Sequence, residues 1–147
     1  MRVGGNGYSS DEMSQRQEER LTLCVDFDGV IHDYTIGDWR EGALYGEPLP
    51  GAIAALFRLR DRGWNVVIHT TRGRSEQLRR DIREWLYNRT MDWDSVFAET
   101  VFAPWLESGD SKDFPFIVTA TKLPAIAYID DRAVRFTNWN DMTRYFS

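Results

Sequence analysis

Cysteine, long apolar runs and excess basic charge are all scarce in this chain, and each scarcity removes a class of protein. Cys24 is the single cysteine in 147 residues. No internal disulfide can form, and a reducing compartment, the cytoplasm, is the expected setting. Cys24 lies inside an apolar run, where it reads as a small buried hydrophobe rather than a reactive thiol. No apolar stretch reaches the roughly 20 residues that a membrane span needs. The glycine-rich opening, Met1 to Ser10, lacks the apolar centre of a secretory signal. Eighteen Lys and Arg stand against 23 Asp and Glu, a net charge of −5. That balance disfavours general binding to nucleic-acid backbones, although a local basic groove remains open.

With 42% hydrophobic and 28% charged residues, the chain has the makeup of one globular domain able to bury a real core. Six tryptophans predict a ring-rich core or pocket. Residues 1–20 read as an arm: a glycine-rich lead, then a charged stretch that is flexible or helical. From residue 21 onward, short apolar runs alternate with helical periodicities, the pattern of an α/β fold built on a mostly parallel sheet. Strands are predicted at 21–27, 64–69, 116–120 and 125–129. A helix is introduced by Pro48-Leu-Pro-Gly51, with Ile53, Leu56 and Phe57 on one face and Gly63 as its stop. A second helix starts after Ser75 and buries Leu78, Ile82, Trp85 and Leu86. A short helix near 92–98, a loop near 108–111 and a terminal helix near 141–146 complete the expectation.

The informative feature is where the polar chemistry falls. The run Leu21-Thr-Leu-Cys-Val ends in Asp26-Phe-Asp28-Gly29. Residues i and i+2 of a strand share a face, so both carboxylates are expected to project together. Like charges that close raise each other's pKa unless a cation joins them, and Mg²⁺ takes carboxylate oxygens while keeping waters that a phosphate can displace. Two other predicted strands also end in polar residues, Thr70-Thr71-Arg72 and Asp130-Asp131. In open parallel sheets ligands gather beyond the carboxyl ends of the strands. Hydrolysis of a phosphate monoester needs an oxygen nucleophile, cations around the phosphoryl oxygens and a proton for the leaving group. Asp26 and Asp28 are spaced for nucleophile and acid/base. Gly29 lets the chain turn away without a Cβ, Thr70 offers a hydroxyl, Arg72 is suited to clamp an anionic part of the substrate, and Lys122 is a point charge.

In order, Asp26-Phe-Asp28-Gly29-Val30, Thr70, Lys122 and Tyr128-Ile-Asp130-Asp131 resemble the four motifs of the haloacid dehalogenase (HAD) superfamily. The likeness is closest to its small, nearly capless phosphohydrolase-like members from bacteria and their viruses. It spans residues 21 to about 139. The resemblance implies a three-layer α/β/α Rossmann-like fold with a minimal cap, a Mg²⁺ cofactor and a hydrolase acting through an aspartyl-phosphate. It implies Asp26 as nucleophile and metal ligand, and Asp28 as acid/base that also binds metal through its backbone carbonyl. It further implies Thr70 as phosphoryl holder, Lys122 as the charge that steadies the intermediate, and an acidic pair, Asp130 and Asp131, at the metal. Asp131 is favoured as the direct ligand. One departure is Lys122-Leu-Pro124 where many relatives carry Lys-Pro.

About twenty residues separate Gly29 from Pro50, too few for a separate cap domain. They form an aromatic and polar flap, 31–50, with His32 and Trp39 as candidate substrate contacts beside Gly29, Thr71 and Arg72. Such a flap suits a small phosphorylated metabolite, a nucleotide or a nucleic-acid end, with bases stacking on its rings. His32 as an incidental loop residue is the plainer reading, as is a packed core position for His69. Arg79, Arg80 and Arg83 alternate with Glu76, Asp81 and Glu84 at helical spacing and predict a salt-bridged, solvated face. A non-catalytic module that retains the metal and phosphate site is the alternative to an enzyme, and transfer to an alcohol instead of water is a third.

Overall fold

A computed structural model describes residues 21–35, 44 and 46–147; the arm at 1–20 and the flap residue Trp39 lie outside the described residues. Four strands form one parallel sheet: β1 (Thr22–Val25), β2 (Asn65–His69), β3 (Ile117–Thr119) and β4 (Ala127–Ile129), in spatial order β3-β2-β1-β4. Five helices are described, α1 (Ala52–Asp61), α2 (Glu76–Trp93), α3 (Ser95–Val101), α4 (Ala103–Ser108) and α5 (Trp139–Tyr145). The architecture is α/β and consistent with a Rossmann-like three-layer α/β/α fold. No described helix is long and apolar enough to cross a membrane.

The two long helices form for the reasons their sequences give. Ile53, Leu56 and Phe57 of α1 are buried, as are Ile82, Trp85 and Leu86 of α2. They share one core with Val25, Val66, Ile68 and Val118 of the sheet. Ser75 caps α2, its hydroxyl accepting the Leu78 amide N–H at 3.1 Å. Between 92 and 98 the structure departs from the sequence reading. The expected short helix is there but starts later, as α3: α2 runs on to Trp93 and breaks at Asp94, whose side chain caps α3 by accepting the Phe97 N–H at 3.1 Å. A carboxylate that satisfies the first amides of a new helix ends the old one. The rings of this region (Phe57, Phe102, Trp105, Phe114 and Phe116) pack edge-on or tilted against one another, so the expected aromatic core is here.

Strand alternation sorts the remaining chemistry. Cys24 and Val67 are register partners on the opposite face, 1% and 0% exposed, and Tyr128 pairs with Cys24 from the other side. The buried, inert reading of Cys24 fits this position, and burial raises the pKa of its thiol. β1, β2 and β3 extend in one direction, and β4 returns to the far side of β1. The strand order therefore reverses at β1, and the crevice beyond the carboxyl ends of β1 and β4 is the topological switch point where open sheets bind ligands. Asp26 ends one of those strands and Asp130-Asp131 the other.

Candidate functional site

An open cleft of about 360 Å³ lies at this switch point, lined by Asp26, Asp28, Thr70, Thr71, Asp130 and Asp131, with Tyr34, His69 and Arg132 completing its wall. Carboxylate oxygens of Asp26, Asp130 and Asp131 lie within 4.8 Å of one another. Three hard oxygen donors at that spacing fit Mg²⁺ in ligand type and leave coordination positions for water or a phosphate. Gly29 makes the approach of Asp131 possible. Its φ is +86°, and a Cβ there would stand 2.3 Å from Asp131 Oδ2 and 3.1 Å from the Tyr34 ring. Any side chain would push the acid out of the cleft and strain the backbone.

Asp26 is disfavoured as an anion in this setting. Burial pushes its carboxyl up to about 6 from an ordinary 3.8, outweighing the Phe27 N–H it accepts, and the charges of Asp130, Asp131 and Asp28 push in the same direction. A carboxyl with a raised folded-state pKa stabilises the metal-free fold fully below about pH 4, and that contribution disappears as pH rises through about 6. A divalent cation held by the trio would reverse the preference. Metal-free protein should therefore melt progressively lower between pH 4 and 7 than an Asp26→Asn variant compared with its own value at pH 4. The rise in melting temperature on adding Mg²⁺ should be larger at pH 7.5 than at pH 5. Thermal melts with and without Mg²⁺ across that range check both expectations.

Both acids of the Asp-x-Asp pair line the cleft, but only Asp26 joins the close carboxylate trio. β1 ends at Val25 and the chain bends at Phe27, so Asp28, in an isolated bridge with His32, lies beyond the reach of the two-residue strand period. The Asp28 carboxylate turns from the Asp26 cluster to Arg72, which donates from Nε to Oδ2 at 2.6 Å and from a terminal nitrogen to Oδ1 at 3.2 Å. Burial would raise the Asp28 pKa. Hydrogen bonds from His32 and Arg72, and the charge of the Arg72 guanidinium, outweigh it and hold the carboxyl below its usual range. The side chain of Asp28 accordingly stands outside the carboxylate trio.

Two expected substrate contacts are placed differently. Arg72 is a buried partner of Asp28, its side chain 9% exposed, and not an outward clamp. Its position follows from Thr70, which is itself buried and whose Oγ1 accepts the Arg72 N–H at 3.3 Å, turning the chain inward after β2. His32 exposes none of its surface, which rules out direct contact with a bound substrate in this arrangement. Lys122 lines no part of the cleft; its ammonium stands 5.0 Å above the Tyr128 ring, a cation–π contact. Thr70 and Thr71 do reach the cleft.

Three lining residues had no assigned role at the sequence level: Tyr34, His69 and Arg132. For His69 a signal exists. Val25 pairs with Ile68, so the next step of the register sets Asp26 beside His69, on the face already shared by Cys24 and Val67. Arg132 donates to the Tyr34 hydroxyl at 3.1 Å, and its own backbone N–H donates to Asp130 Oδ1 at 2.8 Å. Arg132 is the one guanidinium that lines the cleft among the described residues. The Glu76 face is salt-bridged as expected, with Arg79 and Arg83 2.9 and 3.0 Å from that carboxylate, but Arg83 is buried rather than solvated.

No family model matches the chain, and no curated protein does. Among solved structures, a conserved protein coded by a locus of Bacteroides thetaiotaomicron is similar. It has 23% sequence identity and a TM-score of 0.46, with 86% of this chain and 89% of that one covered.

Proposed function

We propose that this chain is a HAD-like, Mg²⁺-dependent phosphomonoester hydrolase that works through an aspartyl-phosphate on Asp26. The observation that supports it is the meeting of Asp26 with Asp130 and Asp131 at the switch point, where a Thr70 hydroxyl shares the same cleft. Bound at the trio, Mg²⁺ would neutralise the acids and the phosphoryl oxygens. An Asp26 oxygen attacks phosphorus in line with the ester oxygen, whose bond to phosphorus breaks as the new one forms. Thr70 donates to a phosphoryl oxygen. Asp28, fixed as a carboxylate by Arg72 and His32, then takes a proton from the water that opens the acyl phosphate, releasing inorganic phosphate and restoring Asp26. The motif order implies a charge-steadying role for Lys122, and in that role its ammonium leaves the Tyr128 ring.

The same Arg72 contact sets a chemical preference. Protonating the leaving oxygen requires Asp28 to hold a proton beside a guanidinium, so esters whose leaving groups need little help should react fastest. Across a series of substituted aryl and alkyl phosphates, kcat/KM with Mg²⁺ should fall steeply as leaving-group pKa rises; a flat series would contradict it. Tyr34 and Arg132 at the rim offer a ring and a cation to whatever carries the phosphate. That pairing suits a nucleotide or a nucleic-acid end. Phosphate release from an aryl phosphate with Mg²⁺, absent when the metal is chelated, is the first test; no release from any phosphate ester would end the reading.

A further inference from the structure

The loop leaving β1 closes on itself through His32, which no part of the mechanism above uses directly. The ring stacks on Phe27 with centroids 5.2 Å apart and planes 6° from parallel, and it meets Trp85 edge-on at 5.3 Å. Its two nitrogens have partners of different kinds. The Gly46 amide N–H donates to Nε2 at 3.0 Å. An amide N–H can only donate, so Nε2 carries the lone pair and the ring proton resides on Nδ1. That Nδ1–H faces Asp28 Oδ1 at 2.8 Å. The tautomer follows from the partners alone.

Gly46 is as constrained as the ring it serves. A Cβ there would lie 1.9 Å from the Asp33 carbonyl oxygen and 2.8 Å from His32 Nε2. Its own carbonyl accepts Trp85 Nε1–H at 3.2 Å and the Arg89 guanidinium at 3.4 Å, both from α2. The returning end of the flap is thus pinned to α2 on one side and to the histidine on the other. Arg72 also holds Asp28, but from the loop after β2, whereas the His32 bond ties this acid to the flap.

We propose that His32 is a positioning residue for Asp28, and that through it the seating of the flap segment at Gly46 on α2 sets the direction of the Asp28 carboxyl in the cleft. The catalytic part of this inference rests on the phosphohydrolase reading. The coupling between Gly46 and Asp28 stands on geometry alone.

Two variants separate the ring from its hydrogen bonds. His32→Phe keeps the stack against Phe27 and Trp85 and loses both nitrogens, whereas His32→Asn restores a donor toward Asp28. With an aryl phosphate and Mg²⁺, kcat should fall about 10- to 100-fold in H32F, as is usual for groups that orient a site from behind, with KM nearly unchanged. H32N should recover much of the loss. Amide exchange at Gly46, read by NMR on the full chain, should quicken about three- to tenfold in H32F and also in Asp28→Ala, where the ring loses its anchor. Wild-type kcat in H32F would overturn the positioning role. Unchanged Gly46 exchange in D28A would overturn the coupling, and that measurement decides it even if the wild-type protein turns over no phosphate ester. Should H32F fail to fold, the KM-against-kcat split in H32N and the exchange in D28A carry the test.

Discussion

On the proposed phosphohydrolase reading, an Asp26→Asn variant should lose turnover of an aryl phosphate by roughly 10⁴-fold or more while keeping its fold, because a covalent nucleophile would have no substitute in the cleft. Asparagine matches the shape of the carboxyl and still accepts the Phe27 N–H that Asp26 Oδ1 accepts at 2.9 Å. It removes a group whose ionisation burial and three nearby acids oppose. The metal-free variant should therefore be as stable as the wild type or more so near neutral pH. Loss of activity together with equal or higher melting temperature separates a catalytic role from a structural one. Equal turnover by the two proteins would remove Asp26 from the mechanism.

The second large effect falls on Arg72. Its guanidinium holds Asp28 with a two-bond fork, and the two side chains are 9% and 30% exposed. Deleting one partner of a buried pair leaves the other desolvated and uncompensated, which costs about 3–5 kcal/mol in a dry interior. Asp28 retains contact with water and the His32 hydrogen bond, so Arg72→Ala should cost about 2–3 kcal/mol. For a chain of this size the melting temperature should drop by roughly 5–10 °C. Arg72→Lys returns the charge without the fork and should recover part of it. Combining Arg72→Met with Asp28→Asn should restore most of the stability but no activity, since the strain of an unpaired charge is gone and so is the acid. Wild-type melting in R72A would show that the pair contributes nothing.

The sequence made the frame of this site legible for a simple reason. Apolar runs that end in polar residues mark strand ends, and Asp26, Thr70, Asp130 and Asp131 lie at such ends. The helices α1 and α2 were readable because Ile53, Leu56 and Phe57, and Ile82, Trp85 and Leu86, repeat at the helical period and are buried as that period requires. What stayed hidden is direction beyond the ends of the strands. Asp28 and Arg72 look like outward-facing polar residues in sequence, yet each is the other's partner across 44 positions. His32 reads as a loop residue, and only the packing of Phe27 and Trp85 against it reveals a buried one. The exact place of the break at Asp94 is hidden because a capping aspartate inside a helical pattern resembles a surface acid until the next helix is seen to start on it. Expectations on Trp39 and the arm at 1–20 fall outside the described residues.

The expectations on activity depend on Asp26 accepting a phosphoryl group inside the acidic hollow at the β1–β4 crevice. Rapid acid quench of the protein during turnover of an aryl phosphate, followed by peptide mass spectrometry, reads that event directly. The account predicts a phosphoryl adduct on the peptide that contains Asp26, formed with Mg²⁺ and absent both without the metal and in D26N. Steady phosphate release with no adduct on that peptide, or an adduct on a different residue, would contradict it.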